Sequence, residues 1–222
     1  MKPWFIRTFF TIACIIFFSI SNVNAQDVIE SVKTRLKCSR NEAIQFIGVV
    51  ESFIKDLQKN ISQIASHSTD NRTKDYLIKT TIEQYFLKPS SKVQVSSLHR
   101  SFVNSYRVDK YLRRLADLSK TQYTEVELMY VPSYLALGTI QSYYDSTYGK
   151  AYEFNVSMWT IFRAKFGESI AYEDVTLKTY GFFFYKSKRT NKWKLRIKGI
   201  AAKETVPFKQ YEKHIKKIWR NE

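Results

Sequence analysis

Between Ala151 and Lys203 the chain holds three long runs of β character joined by two short connections, and no other stretch limits the fold as strongly. In the first run, Glu153 to Phe166, the even positions Phe154, Val156, Met158, Phe162, Ala164 and Phe166 are apolar, broken by Thr160. Its odd positions are polar at both ends and apolar in the middle, at Trp159 and Ile161. Successive strand side chains point to opposite faces of a sheet, so this run predicts one face committed to a core. In the last run Trp193, Leu195 and Ile197 alternate with Lys192, Lys194, Arg196 and Lys198. A row of cations cannot be buried without partners, which sets the lysine side outward.

A connection over Ser187 to Asn191 predicts a register in which Tyr185 pairs with Trp193. Phe183 then opposes Leu195 and Gly181 opposes Ile197 on the core side. On the outer side Phe184 meets Lys194, Phe182 meets Arg196 and Tyr180 meets Lys198. The candidate binding surface is therefore basic and aromatic: Trp159, Tyr180, Phe182, Lys194, Arg196 and Lys198. A bulge at Gly181 would send Phe182 and Phe184 inward instead. Three readings of this face stay open. Long cationic stems can cover apolar surface while their heads stay wet. A sheet-to-sheet homodimer could bury the rings, or the face could hold an anionic glycan or lipid surface by stacking and charge.

Upstream, Ser39 and Glu42 fit a capping box, followed by apolar residues at helical spacing from Ala43 to Ile64. Asp70 caps a second helix carrying Leu77/Ile78, Thr81/Ile82 and Tyr85/Phe86, which Pro89 ends. A short strand follows from Lys92 to Leu98, then a third helix with Val108, Tyr111/Leu112, Leu115 and Leu118. From Tyr123 the period becomes two, interrupted at Pro132, where a bulge or sheet edge is expected.

The N-terminus reads as a secretory signal peptide. Lys2 and Arg7 precede an apolar run from Thr8 to Ile20, and small residues lead to a cut after Ala25. The run is short for a spanning helix, so no stable membrane anchor is expected. The expected layout is a signal peptide over 1–25, one domain over 26–206 and a basic tail or short helix over 207–222. Cys38 is the one cysteine past the leader, so no internal disulfide forms there. The formal charge of +16 predicts attraction to anionic partners, with nucleic acid set aside by export.

Chemistry-bearing motifs are scarce. His67, His99 and His214 lie far apart with no metal-ligand spacing, and no cofactor or metal is expected. The order of helices, kinked strand and three long strands over Ser39 to Glu204 resembles the nuclear transport factor 2-like superfamily, shared with ketosteroid isomerase-like and SnoaL-like proteins. The resemblance implies an α+β fold in which three N-terminal helices pack in a strongly curved, cone-like antiparallel sheet with a pocket at its mouth. Tyr85, Tyr111 and Tyr130 are the expected pocket lining. Enzymes of that family place an Asp base, a Tyr or Asp donor or a His–Asp pair inside the cone. No residue here carries those roles by position: Glu125, Glu127 and Glu153 fall on the outward phase, and Glu173 and Asp174 read as turn residues. The expectation is an exported, non-enzymatic binding or assembly module. The alternatives are a cofactor-independent lyase or isomerase acting on a small hydrophobic molecule, or a periplasmic scaffold component of a secretion or conjugation system.

Overall fold

The structure, a computed structural model, describes residues 26, 29–121, 123–138, 140–187 and 193–213. The expected leader with its cut after Ala25, and the tail from His214 onward, lie outside the described residues. Among the described residues no helix is long and apolar enough to cross a membrane. Tertiary packing divides the chain into two compact units, Met1–Val49 and Val50–Glu222.

The first unit contains α1 (residues 29–36) and the start of α2 (Arg40–Ala65). The capping box forms as expected: the Glu42 amide donates to Ser39 Oγ at 3.3 Å, and the Ser39 amide donates to the Glu42 carboxylate at 2.8 Å. Amides that a helix start leaves without partners are thereby satisfied. Cys38 is a half-buried free thiol, and burial together with Glu42 pushes its pKa up, away from thiolate reactivity.

The second unit holds the rest of α2, then α3 (Asn71–Tyr85), β1 (Lys92–Val95), β2 (Asn104–Arg107) and α4 (Val108–Thr121). After these come β3 (Glu125–Leu137), β4 (Gln141–Asp145), β5 (Gly149–Phe166), β6 (Ser169–Lys186) and β7 (Trp193–Pro207), closed by the short helix α5 (residues 208–213). The strands form one sheet in the order β2-β1-β7-β6-β5-β3, with β4 also pairing to β5. This is the α+β arrangement that the resemblance implied, with one exception to its antiparallel character. β1 runs parallel to β7, with Lys92 beside Gly199 and Val93 beside Ile200. A parallel neighbour needs a long crossover, and the intervening elements supply it. Gly199 makes the approach possible, because a Cβ there would lie 3.1 Å from the Lys92 carbonyl oxygen.

Register shifts bend the long strands. β3 and β5 slip between Val131 and Ala136, around Pro132, as expected. β7 slips against β6 twice, between Gly181 and Phe182 and between Leu177 and Lys178. These leave Lys198 and Lys203 without an opposite residue, so each is a bulge that increases local twist.

The β6–β7 register corrects the expected one by a single residue. Tyr185 pairs with Lys194, Phe184 with Leu195 and Phe182 with Ile197, and past the bulge Tyr180 pairs with Ile200. A one-residue slip turns every side chain to the other face. Tyr180 and Phe182 therefore belong to the inner face, at 1% and 0% exposure, and not to the outer one. There Phe182 stacks on Phe154 at 5.3 Å and meets Phe53 of α2 edge-on at 5.8 Å. Burying one such ring contributes about 2–3 kcal/mol. Phe166, expected in the core, stands exposed at the β5–β6 hairpin tip. The helices cover this inner face through Leu57, Ile61 and Ile64 of α2, Ile78 of α3, and Leu112 and Leu115 of α4.

The outer face is covered too, along part of its length. Ile161, Val175, Val206 and Tyr211 form a second core against which Trp159, Met129 and Phe208 pack. Tyr211 belongs to α5, and its ring lies 5.3 Å from that of Trp159. Tyr211 of α5 thus packs over Trp159 and Ile161, the apolar middle of the odd-numbered face of β5.

Candidate functional site

Seven even-numbered residues of β6 share the inner face, and their character changes along the strand. Phe184, Phe182 and Tyr180 lie in the aromatic core, whereas Lys178, Thr176, Asp174 and Tyr172 continue toward the hairpin tip. At that polar end the sheet, α4 and the loop after β1 enclose a cavity of about 280 Å³. Volumes near this size suit a small molecule. Its apolar walls are Leu115 and Leu118 of α4, Leu128 of β3 and Phe162 of β5. Its polar lining comes from β6, from Ser96, Ser97, His99 and Arg100 of the loop, and from Arg114 of α4.

Asp174 is the central group. It is 4% exposed, and the Tyr172 hydroxyl donates to its Oδ2. Tyr172 is itself fixed: the Leu98 amide donates to its oxygen at 3.0 Å, and Ser97 Oγ lies 3.0 Å away. His99 packs its ring 5.2 Å from that of Tyr172. Burial pushes the Asp174 carboxyl up from its ordinary value, against Tyr172, Lys178 and His99, which all favour the charged form. Burial and the carboxylate it donates to also push the Tyr172 phenol up to about 12, so it stays a donor.

Lys178 stands two pleats further along the same face, about 13 Å away between Cα atoms at the usual strand rise. It is 9% exposed, and burial lowers its pKa from 10.5 to about 8, with Asp174 holding it up. Between the two charges Thr176 Oγ1 lies 3.0 Å from Thr205 Oγ1, and Ser96 Oγ bonds Thr205 as well. This hydroxyl cluster gives the polar wall its own partners. Among the described residues no group of three or more His, Cys, Asp or Glu side chains is placed to hold a metal ion.

The residues anticipated from sequence fall in several places. Tyr111 lines the cavity; burial drives its phenol well above the ordinary value. Tyr130 lies deeper, edge-on to Tyr180 at 6.0 Å, and Tyr85 packs on Phe53 at 5.0 Å away from the cavity lining. On the outer face Lys194 and Arg196 are half-buried, and Lys198 is exposed and paired with Glu153 at 2.6 Å. The rings beside them are Phe183 and Tyr185, not Phe182 and Tyr180, and Tyr148 covers both at 5.3 and 4.4 Å. Asp174, Tyr172, Lys178 and His99 were not anticipated as site residues. The expectation that no carboxylate points inward fails at Asp174, which is five residues inside β6 and not in a turn.

No family model and no curated protein sequence matches the chain. Solved structures that resemble it include the following three. A scytalone dehydratase-type protein from Novosphingobium aromaticivorans is 10% identical, covers 77% of this chain and 92% of its own, and has a TM-score of 0.41. The Kfla4162 protein from Kribbella flavida is 10% identical, with 70% and 92% coverage and a TM-score of 0.36. A type 2 hexachlorocyclohexane dehydrochlorinase, LinA, is 9% identical, with 72% and 89% coverage and a TM-score of 0.34. At such identities the likeness concerns fold and carries nothing of function.

Proposed function

We propose that the chain is a cofactor-independent lyase or isomerase acting on a small, largely apolar molecule, with Asp174 as the general base. The observation that carries this reading is the buried Asp174 carboxylate, held by Tyr172 in the wall of a cavity that Lys178 also lines. A carboxylate lifted by burial is a better proton acceptor than one in water. It takes a proton from a carbon next to a substrate carbonyl, and the electron pair moves onto the carbonyl oxygen. Lys178, still largely protonated at neutral pH, offsets that developing charge in a place where water is scarce. Collapse of the enolate then leads one of two ways. Asp174 returns the proton to a different carbon, which is isomerisation, or a group on the β-carbon leaves with the electron pair, which is elimination. Tyr172 positions the carboxylate without leaving it.

The test is deuterium incorporation into the α-methylene of phenylpyruvate in D₂O, followed by proton NMR. Phenylpyruvate is an enolisable ketone whose single ring suits a cavity of this size. Wild type should exchange faster than the blank, and Asp174→Asn should fall by about 10²-fold or more, the usual contribution of a positioned general base. Equal exchange by the two proteins would remove Asp174 from this role.

A further inference from the structure

We propose that the cavity recognises a substrate bearing a carboxylate, with Arg100 and Arg114 holding that group at the mouth while the apolar body extends inward; this rests on the reading of Asp174 as the base of the same cavity. The first argument is charge. Counting formal charges at pH 7, the cavity is lined by three cationic side chains, Arg100, Arg114 and Lys178, against one carboxylate, Asp174, a balance of +2. Low-dielectric walls focus such a field, so an anion is drawn in and a cation is repelled.

The second argument is how these arginines differ from others. Arg107 is tied to Asp109 at 3.0 Å, Arg113 to Asp75 at 3.6 Å, and Arg163 to Glu173 at 2.6 Å and Glu127 at 3.4 Å. Among the described residues Arg100 and Arg114 have no carboxylate partner. They come from separate elements, the β1–β2 loop and α4, and converge on one cavity. Arg114 is also held in place, its guanidinium 4.9 Å over the Tyr106 ring. A planar guanidinium offers two parallel donors that match a carboxylate, a recognition a lysine cannot copy. Behind the arginines Leu115, Leu118, Leu128 and Phe162 supply the apolar wall. The deduced substrate class is a small carboxylic acid with a single ring or branched apolar body, which carries an acidic C–H within reach of Asp174.

Binding separates this proposal from the catalytic one. The probes are 3-phenylpropanoate and 3-phenylpropanamide, which share a body and differ in charge, titrated by calorimetry at low salt. The anion should bind wild type about tenfold tighter than the amide, and the difference should shrink as salt rises. In Arg100→Gln/Arg114→Gln, whose altered side chains are exposed so that the fold is retained, the two probes should bind alike. Asp174→Asn should keep the preference for the anion, since it leaves both arginines in place. An amide that binds as tightly as the acid, absence of binding by either probe, or a preference that survives the double substitution overturns the proposal. Preference without phenylpyruvate exchange would fault the base and leave the anion site standing; exchange without preference would do the reverse.

Discussion

Lys178 offers the sharpest quantitative test, because its burial is costly and the cost has a defined pH window. Burial lowers its pKa from 10.5 to about 8. At about 1.4 kcal/mol per pH unit, that fall means keeping the proton in the folded chain costs on the order of 3 kcal/mol. The unfolded chain keeps the proton up to its ordinary pKa, and the folded chain releases it near 8. Between those values the unfolded state binds more protons, so stability rises with pH across the window, and below it the penalty is complete. Lys178→Met keeps much of the stem and removes the charge. The variant should be more stable than wild type at pH 7 by about 3 kcal/mol, or roughly 6–12 °C in Tm for a unit of this size. The gain should shrink from pH 8 upward and vanish once the unfolded lysine is also neutral. Asp174, Tyr172 and His99 face the same region, and loss of the ammonium should raise the Asp174 carboxyl further, which shows only at the acid end. Chemical denaturation of both proteins from pH 6 to 10.5 measures the difference. A variant less stable than wild type at pH 7, or a gain that ignores pH, would refute the picture of a cation held in the cavity wall.

Two further substitutions follow from the same contacts. Tyr172→Phe removes the donor that favours the charged carboxylate of Asp174, so the acid limb of a pH–rate profile for phenylpyruvate exchange should move to higher pH. A limb that stays in place would detach Tyr172 from the base. Tyr211→Ala opens the outer core around Trp159, Ile161, Val175 and Val206, and should destabilise by about 3 kcal/mol or more. Light scattering should then report self-association through the uncovered apolar patch; a variant that stays monomeric and stable would mean that α5 does not seal that face.

The sequence carried most of the architecture and little of the site, for identifiable physical reasons. Helix starts are local chemistry, so Ser39 with Glu42 and Asp70 with Thr73 could be read directly. The lysine row of β7 was legible because cations cannot be buried unpaired. β6 was not legible, since Phe182, Phe183, Phe184 and Tyr185 run consecutively and erase the period of two. Its other half misleads as well: Val175 and Leu177 are the more apolar set and read as inward. They face outward, and Val175 is buried because the outer face is itself covered by Tyr211 of α5. The true inward set there is Tyr172, Asp174, Thr176 and Lys178, which looks like a solvated edge by composition. The phase could have been recovered by aligning β6 against β5, where Phe154 and Val156 oppose Phe182 and Tyr180. His99, Arg100 and Arg114 reach the cavity through tertiary folding alone, and no spacing along the chain announces them.

The central claim is that a buried carboxylate in this cavity removes a proton from carbon. The most direct measurement is the rate of α-deuterium exchange of phenylpyruvate by wild type and Asp174→Asn, with Lys178→Met alongside. The account predicts exchange by wild type that collapses in Asp174→Asn and weakens in Lys178→Met while both variants remain folded. Exchange at the blank rate by folded wild type, or an Asp174→Asn protein as active as wild type, would contradict it.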